Sequence, residues 1–133
     1  MINKIQLFQK HFHLVFISIL LLSCQATQKT STTQAALFNH WVHSHEEDSE
    51  GLSYYRLHNY AFPRSRGRLG FEISKDGEFV LYAIAAADGQ NRQVGTWHYA
   101  GSDSVVAQFP LTNTPQFSFK ILSCENGLLK IRH

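Results

Sequence analysis

From about Leu37 to His133, apolar residues recur at every second position, and short turn dipeptides interrupt them at close intervals. Leu69, Phe71 and Ile73 alternate with Gly70, Glu72 and Ser74. Val105, Ala107 and Phe109 alternate with Ser104, Val106 and Gln108. Phe117, Phe119 and Ile121 alternate with Ser118, Lys120 and Leu122, and Leu129 and Ile131 with Lys130 and Arg132. Period two is the signature of a strand with one face buried. The stretch 79–85 is apolar on both faces, which predicts a strand covered on both sides. Asp76-Gly77, Asp88-Gly89, Gly101-Ser102-Asp103 and Asn126-Gly127 supply the positive φ angles that tight hairpins need. Such short links make successive strands antiparallel neighbours.

The reading is all-β, with strands near 40–47, 53–58, 68–74, 78–86, 92–100, 104–109, 116–123 and 128–132. A short helical turn fits around 34–39. A train of half-buried strands must bury its apolar face, and closing on itself also removes the exposed edges. The expected fold is a small antiparallel up-and-down β-barrel of about seven or eight short strands. With 10 Phe in the chain, its interior is expected to be mostly filled.

The N-terminal stretch has a different character. Lys4, Lys10, His11 and His13 precede Leu14, Val15, Phe16, Ile17, Ser18, Ile19, Leu20, Leu21 and Leu22. A basic region followed by nine residues, apolar but for one serine, is a secretory signal pattern. It is far short of the roughly 20 residues of a membrane-spanning helix. The segment ends in Leu21-Leu22-Ser23-Cys24, which resembles the lipobox of bacterial lipoproteins. There the thiol takes a diacylglyceryl group, and cleavage before the cysteine frees an amine for a further chain. Two or more chains anchor stably where one would not. Residues 25–34 carry no large apolar side chain and suit a flexible tether. Aspartate after the cysteine would signal retention at the inner membrane, so Gln25 points to the outer membrane, with the domain facing the periplasm. The domain reading is therefore a lipoprotein signal peptide (1–23), a tether (24–35) and a β-barrel domain (36–133).

Charge narrows the partners. The chain has 12 Lys plus Arg against 10 Asp plus Glu, and both surplus cations, Lys4 and Lys10, belong to the signal segment. A mature chain with ten of each lacks the basic footprint of a nucleic-acid binder. Two cysteines give no disulfide framework, and Cys124, alone in the domain, reads as a buried thiol. There is no Gly-x-Ser-x-Gly elbow, no phosphate-binding glycine loop and no Cys-x-x-Cys. No catalytic residue, cofactor or metal is assigned.

Two clusters are candidates for a binding site. In 40–48, a strand would place Trp41, His43, His45 and Glu47 on one face. His-x-His with an acid two positions on can present metal ligands, with His58 or His98 to complete the set. The plainer alternative is a hydrogen-bonded polar rim. In 62–68, Arg64, Arg66 and Arg68 alternate and, if extended, share a face suited to carboxylate or phosphate. The favoured expectation is internal pairing with Glu46, Glu47, Asp48 and Glu50.

Gly95-Thr96-Trp97 resembles the Gly-x-Trp signature of lipocalins. In that family it lies on the first strand; here it lies in mid-chain, and the first strand has Asn39-His40-Trp41. The stretches 41–48, 62–71, 76–79 and 95–97, in that order across most of the domain, are similar to small bacterial lipocalin-like (calycin-type) lipoproteins. The resemblance implies a small β-barrel and brings no established activity. The leading expectation is a lipid-anchored, non-enzymatic barrel that binds a small molecule or an envelope partner, with the membrane as a partner through Cys24. The alternatives are a structural or interaction module with a filled core and no ligand, and a metal or enzymatic site on the His43/His45 strand. Replacing Cys24 by Ala is expected to abolish lipidation and leave an uncleaved or soluble species. Mass spectrometry of the wild-type N-terminus checks this, and an intact Met1 or an unmodified mature Cys24 would refute it.

Overall fold

The computed structural model describes residues 34–85, 90–111 and 116–133. The expected signal segment, the expected tether up to residue 33 and the expected Asp88-Gly89 turn lie outside the described residues. Residues 34–37 are helical. Eight strands follow: β1 (His40–His43), β2 (Ser53–Leu57), β3 (Gly70–Ile73), β4 (Glu78–Ile84), β5 (Gln90–Tyr99), β6 (Ser104–Gln108), β7 (Gln116–Glu125) and β8 (Leu128–Arg132). A single 3₁₀ turn, His45–Glu47, stands between β1 and β2. All neighbours are antiparallel and the sheet closes into the barrel that the alternation predicts.

The order around the barrel is β1-β2-β8-β7-β6-β5-β4-β3, closing on β1. Strands β3 to β8 therefore follow strict succession, while β1 sits between β2 and β3. The link between those two strands must pass from one edge of β1 to the other. Residues 58–69 do this: the His58 N–H donates to His40 O at its start, and Leu69 O accepts from the His43 N–H at its end. Along the way Gly67 lies against the outward side chain of Ile84, so the crossover runs outside the wall.

Turn chemistry and close approach explain two local shapes. Asn126 and Gly127 have φ of 53° and 70° and form the two-residue hairpin between β7 and β8. At Gly95 a Cβ would meet Gln108 O at 2.0 Å and the Phe109 ring at 2.7 Å, so the backbones pack as only glycine permits. On β7 the register shifts between Ile121 and Ser123. This bulge turns Cys124 inward, although the alternation of Phe117, Phe119 and Ile121 would place it outside with Leu122, which is exposed. On β4 the expected cover on both faces holds only in part. Val80 is buried on the outer side, whereas Ile84 at its end is exposed.

The interior is built around Phe71, which is fully buried. Its ring centroid lies 4.9 Å from Tyr55, 5.3 Å from Phe79, 5.2 Å from Phe119 and 5.9 Å from Phe117. These rings fill the barrel at that level. Leu37 and Trp41, the latter directly across the β1–β3 ladder from Phe71, are also buried, and the Trp41 indole donates to Leu37 O at 2.8 Å, which ties the helical turn to the barrel. Trp97 is half-buried against Phe38 and Tyr99 and donates to Ser74 O at 2.8 Å. Truncation to Ala is expected to cost about 5 kcal/mol at Phe71 and about 3 kcal/mol at Trp97, because the cost follows the cavity left behind. Urea midpoints measure both; an unchanged midpoint for Trp97→Ala would mean its indole does not pack.

Candidate functional site

The two clusters singled out in the sequence do meet in space, although not in the way their spacing suggests. Strand β1 ends at His43. The Ser44 backbone, buried and bonded through its N–H to Tyr54 O at 2.8 Å, turns the chain into the 3₁₀ segment. The expectation that Trp41, His43, His45 and Glu47 share one strand face is therefore corrected. The His43 and His45 rings meet edge-on at 6.2 Å. His58 does not join them; it stacks on His40 at 5.1 Å. His98 is exposed on β5. Among the described residues no group of three His, Cys, Asp or Glu side chains is placed to hold a metal ion.

Each acid of the turn has its own partner. His43 lies flat on Tyr55 at 4.9 Å, and its Nε2 meets the Asp48 carboxylate at 2.9 and 3.1 Å. The same Asp48 accepts the Tyr54 N–H at 3.0 Å, pinning the return into β2. Burial, and then the nearby Asp48 charge, push the Tyr55 phenol up. Glu47 takes a two-point bond from Arg56, at 2.7 and 2.9 Å, which lowers the carboxyl and raises the guanidinium. Arg56 was not legible as a site residue from spacing. It becomes one because β2 folds back beside β1 and carries it past the acidic turn.

Arg68 is the hub. Its side chain is only 9% exposed. It donates to Glu46 at 2.8 and 2.5 Å, to Pro63 O at 2.9 Å and to His43 O at 3.1 Å, and it lies over the Phe62 ring at 4.7 Å. Its Nη1 also lies 3.3 Å from His45 Nδ1. His45 Nε2 in turn lies 3.4 Å from the Glu46 carboxylate. The bonds from Arg68 hold the Glu46 carboxyl at about 2, against the usual 4.5.

The expected internal pairing thus holds for Arg68 and Glu46 alone. Arg64 and Arg66 are exposed on the crossover and make no ion pair among the described residues. Glu50 stands at a turn tip with φ of 51° and likewise makes none among them.

Two further features escaped sequence reasoning. On the outer wall, His40 lies between His58 and Tyr82, and the Tyr82 hydroxyl donates to Glu72 at 3.2 Å. Burial first, and then His58, lower the His40 pKa, while Glu72 opposes them. Inside, Gln93 Oε1 is buried without a hydrogen-bond partner among the described residues. Cys124 is a buried core thiol, pushed to about 11 by burial and then by Glu125. Comparisons with family models, curated proteins and solved structures return no match.

Arg68→Ala is expected to cost about 2 kcal/mol through the loss of its charged hydrogen bonds, while Arg66→Ala stays within about 0.5 kcal/mol. A carboxyl depressed on folding stabilises above its unfolded pKa and loses that contribution as pH falls through the folded one. The Glu46 part of the Arg68 effect is therefore complete above pH 4.5 and fades towards pH 2. Urea melts of wild type and both variants at pH 7 and pH 3 check the sign.

Proposed function

We propose that this chain is a non-enzymatic binding barrel of the bacterial cell envelope, tethered to the outer membrane through lipid on Cys24. Its crossover loop presents Arg64 and Arg66 to an anionic group on a small molecule or an envelope partner. One observation carries this reading: two exposed arginines without acidic partners among the described residues share a loop that Arg68 clamps to the barrel. Three of the four acids expected to neutralise them, Glu46, Glu47 and Asp48, are engaged by Arg68, Arg56 and His43. A fixed loop displays a cationic pair at less ordering cost than a free one. The ring stack around Phe71 fills the barrel interior at its level, which favours a ligand met from outside. The closed eight-stranded barrel is also the architecture expected from the lipocalin-like resemblance.

A ligand that binds only the native state raises its apparent stability. Thermal melts in phosphate, citrate or a fatty acid, set against chloride at equal ionic strength, are expected to show a rise in Tm for at least one anion. Arg66→Ala is expected to remove that rise while leaving the chloride melt unchanged. No anion-specific shift, or one that survives in Arg66→Ala, would overturn the assignment.

A further inference from the structure

We propose that the outer face of β6, β7 and β8 carries a second anion site, built for a phosphate group. The argument begins with register. Lys120 on β7 stands directly opposite Arg132 on β8, and Ser104 on β6 stands opposite Lys120 in the same row. Like charges placed directly across two strands destabilise a sheet. The local acid relieves only one of them: Asp103 meets the Lys120 ammonium at 3.1 Å. Arg132 makes no ion pair among the described residues.

The two cations border a shallow groove of about 410 Å³ that also includes Ser104, Ser118 and Gln116. Its polar lining includes the Arg132 guanidinium, the Lys120 ammonium and the Ser118 hydroxyl, while the Ser104 hydroxyl already donates to Asp103 at 3.3 Å. A tetrahedral oxyanion with several free oxygens uses such a set more fully than a carboxylate does, with Arg gripping two oxygens and Lys acting as a point charge. The cost of opposing like charges in the empty sheet becomes binding free energy when a dianion sits between them. Such a phosphate can belong to a lipid headgroup or to a free phosphate ester, and the chemistry of the groove is the same for both.

The test uses the full-length lipidated protein in non-ionic detergent, followed by amide NMR. Inorganic phosphate and glycerol 3-phosphate are titrated against chloride at equal ionic strength. Saturable shifts are expected at amides 104–106, 116–120 and 132. Arg132→Gln is expected to weaken the response about tenfold. In chloride alone the same substitution is expected to raise Tm, because it removes the repulsion; a merely structural arginine would lower it. Arg66→Ala is expected to leave these shifts in place, which separates failure of this site from failure of the crossover site. Amide shifts of the protein reconstituted in phosphatidylglycerol bilayers, against phosphatidylcholine bilayers, then assign the source. Headgroup-specific shifts that depend on Arg132 support a headgroup, and a response to soluble phosphate alone supports a free ester. Absence of both responses, or responses indifferent to Arg132→Gln, would overturn the proposal.

Discussion

The covered guanidinium of Arg68 is the contact on which the rest of this structure depends. Placing β1 between β2 and β3 obliges the chain to cross the barrel wall, and among the described residues the backbone of the twelve-residue crossover bonds to β1 only at its ends, through His58 and Leu69. Arg68 substitutes for the missing ladder. It bonds the crossover through Pro63 O, β1 through His43 O and the 3₁₀ turn through Glu46. Three segments that share no ladder are thereby held in one geometry. A lysine would not serve, because one ammonium cannot present a planar fork to a carboxylate while also reaching two carbonyls.

Charge and packing divide the work by location. Within the wall the rings around Phe71 supply apolar burial, which is proportional to area and indifferent to pattern. At the acidic turn, Glu46, Glu47 and Asp48 are paired one by one with Arg68, Arg56 and His43, so a cluster that looks reactive in the sequence is electrostatically quiet. Among the described residues the cations without an ion pair lie elsewhere: Arg64 and Arg66 on the crossover, Lys75 in the β3–β4 turn, Arg92 on β5, and Lys130 and Arg132 on β8. The proposed recognition by charge therefore falls to surfaces that the fold itself does not need.

Much of the fold was legible because alternation reports directly which face of a strand is buried. Phe71, Ile73, Val105, Ala107, Leu129 and Ile131 all point inward as their period requires. Asn126-Gly127 announced its hairpin for the same local reason. Alternation does not report lateral order, so the position of β1 between β2 and β3 was invisible. Nor does it report where a strand stops. The end of β1 is set by Ser44 bonding to Tyr54, a partner ten residues away. The arginines show the limit most plainly: Arg64, Arg66 and Arg68 are identical in type and evenly spaced, yet only the one adjoining β3 is enclosed.

Closure of the barrel has a consequence for how the chain folds. The seam is the pairing of β2 with β8, where Ser53 meets Ile131. That ladder joins segments separated by most of the domain, so the entropy of closing so long a loop must be overcome before it contributes. Until β8 arrives, the outward edges of β2 and β7 are both unpaired, and each can template another chain. The final strand thus acts as the latch of the whole assembly, and losing a few residues there would expose two sticky edges at once.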